Sequence, residues 1–274
     1  MLGTAQWGHG YGVTNSVGRL SDDTLADIVA VAREWGIDAV DTALGYGDAQ
    51  ARLQPFAHDF AVTSKVAAGG DVSEQVREAL LELGLDQVHG VLAHDWDALD
   101  QDEQRRAASA LTRLIERGDA RTVGASVYDS AGVASAAHAF RSTQSRLGVI
   151  QVPANVLDRR LDSDPELLEL AAQGTQIVVR SAFLQGVLLD PASPRANHPD
   201  VDRVLRVAAE SATSLLALCL SHVKALPWAS HVVVGVTTPE ELNEIGATWA
   251  SVEPHLADPS LASADLGLID PRRW

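Results

Sequence analysis

Cysteine is nearly absent. Cys219 stands alone, so the chain has no internal disulfide and no thiolate metal cluster, which fits a reducing compartment. It lies in an apolar helical stretch and reads as a packed core thiol. Long apolar runs are lacking as well: none approaches the roughly 18 residues of a membrane span. The opening Met1-Leu2-Gly3-Thr4 has neither the basic nor the apolar region of a signal peptide. Positive charge is in the minority, with 21 Lys and Arg against 37 Asp and Glu and a net charge of -16. So acidic a chain repels phosphate backbones and anionic lipid, which argues against nucleic-acid and membrane partners. The nine histidines form no HxH or HExxH pattern, and GxSxG does not occur, so no metal is expected and a serine hydrolase is unsupported. These absences predict a soluble, cytoplasmic protein.

What is present is a regular alternation. The 274 residues are 46% hydrophobic and match the roughly 250 of a single barrel domain, so one domain over 1–274 is expected. Short apolar runs at 2–6, 37–41, 60–65, 88–93, 122–125, 147–150, 176–179 and 231–234 read as strands. Between them lie amphipathic stretches with helix signals. Ser21 precedes Asp22 and Asp23, and the apolar positions Leu25, Ile28, Val29, Ala32 and Trp35 run up to Gly36. Further helices are predicted at 49–57, 72–83, 102–117, 130–140, 165–173, 201–224 and 239–248. Eight strand-helix units predict a (β/α)8 TIM barrel. A doubly wound sheet is disfavoured because Gly8-His9-Gly10-Tyr11-Gly12 lacks GxGxxG spacing and runs into no helix. One connection is overlong: the segment 181–200, with Pro191, Pro194 and Pro199, is expected to shape a substrate site.

The apolar runs end in ionisable groups. The second ends in Asp41, the third in Lys65 and the fourth is followed by His94, while Tyr46 sits between Gly45 and Gly47 five residues after Asp41. Barrel active sites are assembled from such strand ends. In this register Asp41, Tyr46, Lys65 and His94 resemble the catalytic tetrad of the aldo-keto reductase family, and the likeness extends over nearly the whole chain. It implies a nicotinamide-dependent oxidoreductase using NADP(H) or NAD(H). It further implies that Ser126 and Gln151 hold the nicotinamide carboxamide. Arg180 and Ser181 occupy the family's seventh-strand cofactor segment, and Gly235, Thr237 and Glu241 occupy its adenosine-phosphate loop.

The sequence departs from the family pattern in places. Val127 follows Ser126 where asparagine is usual, and Arg180 replaces the tyrosine that stacks on the nicotinamide. The arrangement looks closer to bacterial branches of the family. Residues 235–244 contain no lysine or arginine. Thr237, Thr238 and the amides opening a helix can bind a phosphate. Glu240 and Glu241 oppose it and suit a free ribose hydroxyl, so only a small preference for NADPH is expected.

The chemistry of the four residues is consistent with this resemblance. Carbonyl reduction needs a hydride, which only a cofactor can supply. It also needs a proton donor within hydrogen-bond reach of the carbonyl oxygen. Tyr46 is the candidate donor, Lys65 the cation expected to lower its pKa, Asp41 the partner of Lys65, and His94 the group that orients the carbonyl. His9, Tyr11, Asp95 and Arg180 are expected to give a polar mouth suited to a small aldehyde, ketone or sugar. Trp96 reads either as a substrate wall or as packing. The alternative is a nucleotide-binding regulatory or partner subunit of the same fold with little or no turnover.

Overall fold

The computed structural model describes residues 1–12, 15, 18–190, 193 and 195–274. Pro191 and Pro194 of the overlong segment lie outside the described residues, as do 13, 14, 16 and 17 of the loop after the first strand. Eight strands are described: β1 (Leu2–Gly3), β2 (Ala39–Ala43), β3 (Ala61–Val66), β4 (Val88–Ala93), β5 (Ala120–Ser126), β6 (Val149–Pro153), β7 (Gln176–Arg180) and β8 (His231–Val232). They pair in parallel in chain order. The ring closes where Leu2 bridges Val234, with the Gly3 N–H donating to the Val234 carbonyl at 2.8 Å. This is the expected (β/α)8 barrel.

The helices are α1 (Ala5–Gly8), α2 (Asp22–Glu34), α3 (Ala49–Leu53), α4 (Val72–Leu83), α5 (Gln101–Arg117), α6 (Ser130–Ser142), α7 (Pro165–Ala172), α8 (Pro199–Glu210), α9 (Leu215–Lys224), α10 (Pro239–Ser251) and α11 (Leu266–Ile269). α5 shows how the sequence sets a helix. Asp100 and Glu103 form a reciprocal capping box, Ala107, Ala108, Leu111 and Leu114 are buried at helical spacing, and Gly118 closes the end at φ +80°.

Several boundaries differ from the sequence reading, among them the eighth strand, which runs 231–232 instead of 231–234, and the helix at 49–57, whose α-helical part ends at Leu53. Three of the differences have a clear local reason. The first strand stops at Gly3 instead of residue 6, because the chain turns into α1, where the Trp7 N–H donates to the Thr4 carbonyl at 2.9 Å. The second strand runs Ala39–Ala43 instead of 37–41, because the Ile37 N–H still caps α2 through the Ala32 carbonyl. Asp41 therefore lies mid-strand, below the rim. The helical region 201–224 is two helices, α8 and α9, bent by 98°. The Ser211 hydroxyl donates to the Val207 carbonyl, Ala212 takes a left-handed φ of +51°, and Ser214 caps α9. Among the described residues no single helix is long and apolar enough to cross a membrane.

The main core lies between the barrel and its helices. A second apolar cluster joins Leu184, Val187, Leu188 and Ala196 from the overlong segment to Val201, Val204 and Cys219. It also takes in Ala257, Leu261, Leu268 and Ile269, from beyond α10. The overlong segment and the C-terminal stretch thus build one wall beside the barrel mouth. Cys219 is fully buried there, as the sequence suggests, and burial pushes its thiol up to about 12.

Candidate active site

Neighbouring strands deliver the ionisable groups. β2 and β3 pair with Asp41 opposite Thr63 and Ala43 opposite Lys65. The Lys65 ammonium donates to Asp41 Oδ2 at 2.5 Å, with side-chain exposures of 1% and 6%. From across the barrel, on β6, the Gln151 side-chain amide donates to Asp41 Oδ1 at 2.8 Å. Both carboxylate oxygens are therefore engaged, and no local pattern marks Gln151 as the partner of one of them. Burial by itself lowers the Lys65 pKa, but the Asp41 carboxylate and Tyr46 overcome it and hold the ammonium above its ordinary range.

Tyr46 sits on the loop after β2. The Tyr46 N–H donates to the Ala43 carbonyl at 3.0 Å, and Gly47 follows at φ +60°. A Cβ on Gly47 would stand 2.6 Å from the His9 ring, and one on Gly8 would stand 1.8 Å from the Tyr46 carbonyl oxygen. α1 therefore presses directly on the loop that carries the phenol, and glycine is required at both points of approach. The Lys65 ammonium lies 5.1 Å from the Tyr46 ring centroid, and the His94 ring meets it edge-on at 5.8 Å and 85°. His94 follows β4 directly, its N–H bonded to the Val66 carbonyl at 2.9 Å.

The Tyr46 phenol departs from the sequence expectation. Burial pushes its pKa up, the Lys65 charge pulls it down and Asp41 adds to the rise, leaving it above the ordinary 10. The lysine does act in the expected direction, but desolvation outweighs it. The His94 ring is brought down to about 4, by burial first and then by the Lys65 charge, so it is neutral at pH 7. Between an unfolded value near 6.5 and about 4, the unfolded chain holds a proton that the folded ring does not. Stability from this group is complete above 6.5 and is lost as pH falls toward 4. We expect His94→Gln to flatten that loss. Urea unfolding of both proteins across this window checks it, and parallel slopes would contradict it.

These residues open into one cavity of about 390 Å³. Its lining includes Asp41, Tyr46, His94, Ser126, Gln151, Arg180, Ser181, Gly235, Thr237 and Glu241. Of the four catalytic candidates, Lys65 alone does not reach the lining; it is buried behind Tyr46. Tyr11 lines the cavity, but His9 and Asp95 do not. His9 packs on Gly47, and Asp95 accepts the Ala68 N–H at 2.8 Å. Trp96 is core packing: it is fully buried, bonded to Ser135 and stacked on Phe140. Among the described residues no three His, Cys, Asp or Glu side chains gather as metal ligands.

Two groups were missed. Tyr128, two residues past the end of β5, lines the cavity between two guanidinium groups, Arg180 at 3.9 Å and Arg272 at 3.8 Å from its ring. Its offset from Ser126 was the available signal. Pro271 reaches the cavity from the C-terminal stretch, for which no local pattern exists. Ser181 holds a left-handed φ of +60°, and the buried Asn155 amide donates to its carbonyl at 3.0 Å. At the far end, Glu241 accepts the N–H groups of Thr237 (2.6 Å) and Thr238 (3.3 Å) and the Thr237 hydroxyl.

Against known proteins, a model described as the aldo/keto reductase family matches residues 1–253. Two solved structures assigned by name to aldo-keto reductases, both from Pseudomonas aeruginosa, superpose with TM-scores of 0.69 and 0.68. Each is 23% identical to this chain, and the match covers 91% of this chain and 88% of theirs. At that identity the likeness shows the fold. No protein of curated function matches the chain significantly.

Proposed function

The chain belongs to the aldo/keto reductase family, and on that premise we propose that it interconverts a small aldehyde, ketone or sugar carbonyl and its alcohol with a nicotinamide cofactor. The observation that carries this reading is the Tyr46 phenol, set between neutral His94 and the buried Lys65–Asp41 pair at the floor of the cavity.

The residues present fit a nicotinamide. Ser126 Oγ and Gln151 Oε1 make no hydrogen bond among the described residues, and both side chains line the cavity. A hydroxyl donor and a carbonyl acceptor side by side match a carboxamide. Because the Gln151 N–H faces Asp41, its oxygen is the atom left for a ligand. When bound, the cofactor supplies the hydride for the carbonyl carbon.

The chain's own residues do the rest. His94, neutral at pH 7, donates a ring N–H to the carbonyl oxygen and orients it. Tyr46, protonated at neutral pH, delivers its proton to the same oxygen. Lys65 stabilises the phenolate left behind, and Asp41 keeps Lys65 charged and aimed. Water at the open mouth returns the proton to Tyr46. The reverse direction uses Tyr46 as base.

Glu241 bears on which cofactor is used. The amides opening α10 are the expected anion site, yet the chain's own carboxylate already fills them. Arg272 offers no substitute, since Asp270 engages its fork at 2.9 and 2.7 Å. We expect NADPH and NADH to differ by less than about tenfold in affinity, ~1.4 kcal/mol. We expect Glu241→Gln to move the ratio toward NADPH by about fivefold, near 1 kcal/mol for one charge at a helix terminus. Fluorescence titration of both reduced cofactors checks it. Wild-type NADPH binding a hundredfold tighter would contradict it.

A further inference from the structure

Three cations stand at or beneath the cavity, and two of them are neutralised. Lys65 is paired with Asp41, and Arg272 with Asp270 and Asp97. The third, Arg180, has no carboxylate within ion-pair distance among the described residues. It ends β7, lines the cavity, places its guanidinium carbon over the Tyr128 ring at 3.9 Å and spends one N–H on the Val127 carbonyl at 3.0 Å. The stack and that hydrogen bond fix the plane of the guanidinium while leaving its other donors unspent. Arg180 lines the same cavity as Tyr46 and His94.

An uncompensated cation held rigid inside a wall is unusual in a chain whose net charge is -16. On a solvated face, a lone arginine among so many carboxylates would cost nothing. Here it is half-buried in the wall of the cavity that also holds the candidate proton donor. A fixed guanidinium with open donors is the group that recognises a carboxylate.

We propose that Arg180 anchors a carboxylate on the substrate, so that this site prefers oxo acids over neutral carbonyls of the same skeleton. The proposal rests on the reading of the cavity as a carbonyl-reducing site. The anchor turns the substrate so that its carbonyl oxygen faces Tyr46 and His94 while its anionic end faces Arg180. Tyr128 and Arg272 serve as positioning groups, holding the guanidinium from behind.

The test uses ω-oxo carboxylates of increasing chain length, each paired with its methyl ester, which keeps the carbonyl and removes the charge. In the wild-type protein, the best-fitting acid should exceed its ester in kcat/KM by at least about tenfold, the discrimination of one charge-assisted contact. Arg180→Gln should bring that ratio to about one, mainly through KM. Arg180→Lys should restore part of it. The dissociation constant for NADH separates this anchor from the cofactor role that the resemblance implies for Arg180: it should move less than about twofold in both variants if the guanidinium serves the substrate. A wild-type ratio at or below one overturns the proposal without any variant. So does a ratio that survives Arg180→Gln, or a loss of NADH affinity larger than the change in the ratio. If no carbonyl is turned over, the oxidoreductase reading fails. The anchor is then decided by malonate, a non-reacting carboxylate: it should raise the melting temperature of the wild-type protein and not of Arg180→Gln. Equal shifts, or none, overturn the anchor as well.

Discussion

Tyr46→Phe is expected to reduce carbonyl turnover by about 10²–10⁴-fold, the usual worth of a positioned acid, while NADH and NADPH bind as before. The phenyl ring fills the same space, so the edge contact with His94 and the approach of the Lys65 ammonium persist. Only the hydroxyl goes. Since the Tyr46 pKa lies above its ordinary value, loss of the wild-type phenol proton is not expected near pH 7, and the acid limb should be flat there. Stopped-flow turnover together with cofactor titration checks both parts. A variant that keeps more than about a tenth of wild-type turnover would mean that another group supplies the proton.

Lys65→Met should damage folding and chemistry together. It strands the Asp41 carboxylate in the barrel with only the Gln151 amide as partner. Breaking one side of a buried pair costs about 3–5 kcal/mol, a fall in Tm on the order of 10 °C for a chain of this size. Turnover should fall about a hundredfold or more, because the phenolate loses its cation. The two losses can be separated. Asp41→Asn combined with Lys65→Met removes both charges and keeps an acceptor for Gln151. It should recover stability to within about 1–2 kcal/mol of wild type while turnover stays low. Urea unfolding and kinetics on the three proteins check this. Recovery of turnover along with stability would assign the pair a purely structural role.

The gathering of Asp41, Tyr46, Lys65 and His94 was legible because a parallel barrel places one chemical group per strand at a single end, and the residues at that end break an apolar run. Asp41, Lys65 and His94 each interrupt such a run, and Tyr46 is marked by its glycines. Of those, only Gly47 is demanded by its backbone, at φ +60°. The depth of Asp41 was not legible, because a strand boundary is set by where the preceding helix spends its last hydrogen bonds, here Ile37 to Ala32.

The direction of the Tyr46 shift was missed for a related reason. Sequence names the neighbouring charge but not the desolvation that opposes it. The break between α8 and α9 was written in Ser211-Ala212-Thr213-Ser214, whose hydroxyls compete for backbone groups, but apolar periodicity on both sides masked it. The stack of Arg180, Tyr128 and Arg272 joins residues from β7, the loop after β5 and the C-terminal stretch. No local pattern connects them.

The proposed reaction is direct transfer of a hydride to a substrate carbon at the cavity floor while Tyr46 protonates the oxygen. It is tested most directly by supplying a reduced cofactor deuterated at the transferring C4 position, in ordinary water, with the best carbonyl of the panel, and weighing the alcohol. One deuterium is expected on the carbinol carbon of each product molecule, from the wild-type protein and, far more slowly, from Tyr46→Phe. Alcohol without deuterium, or tight cofactor binding with no alcohol from any carbonyl, would contradict it.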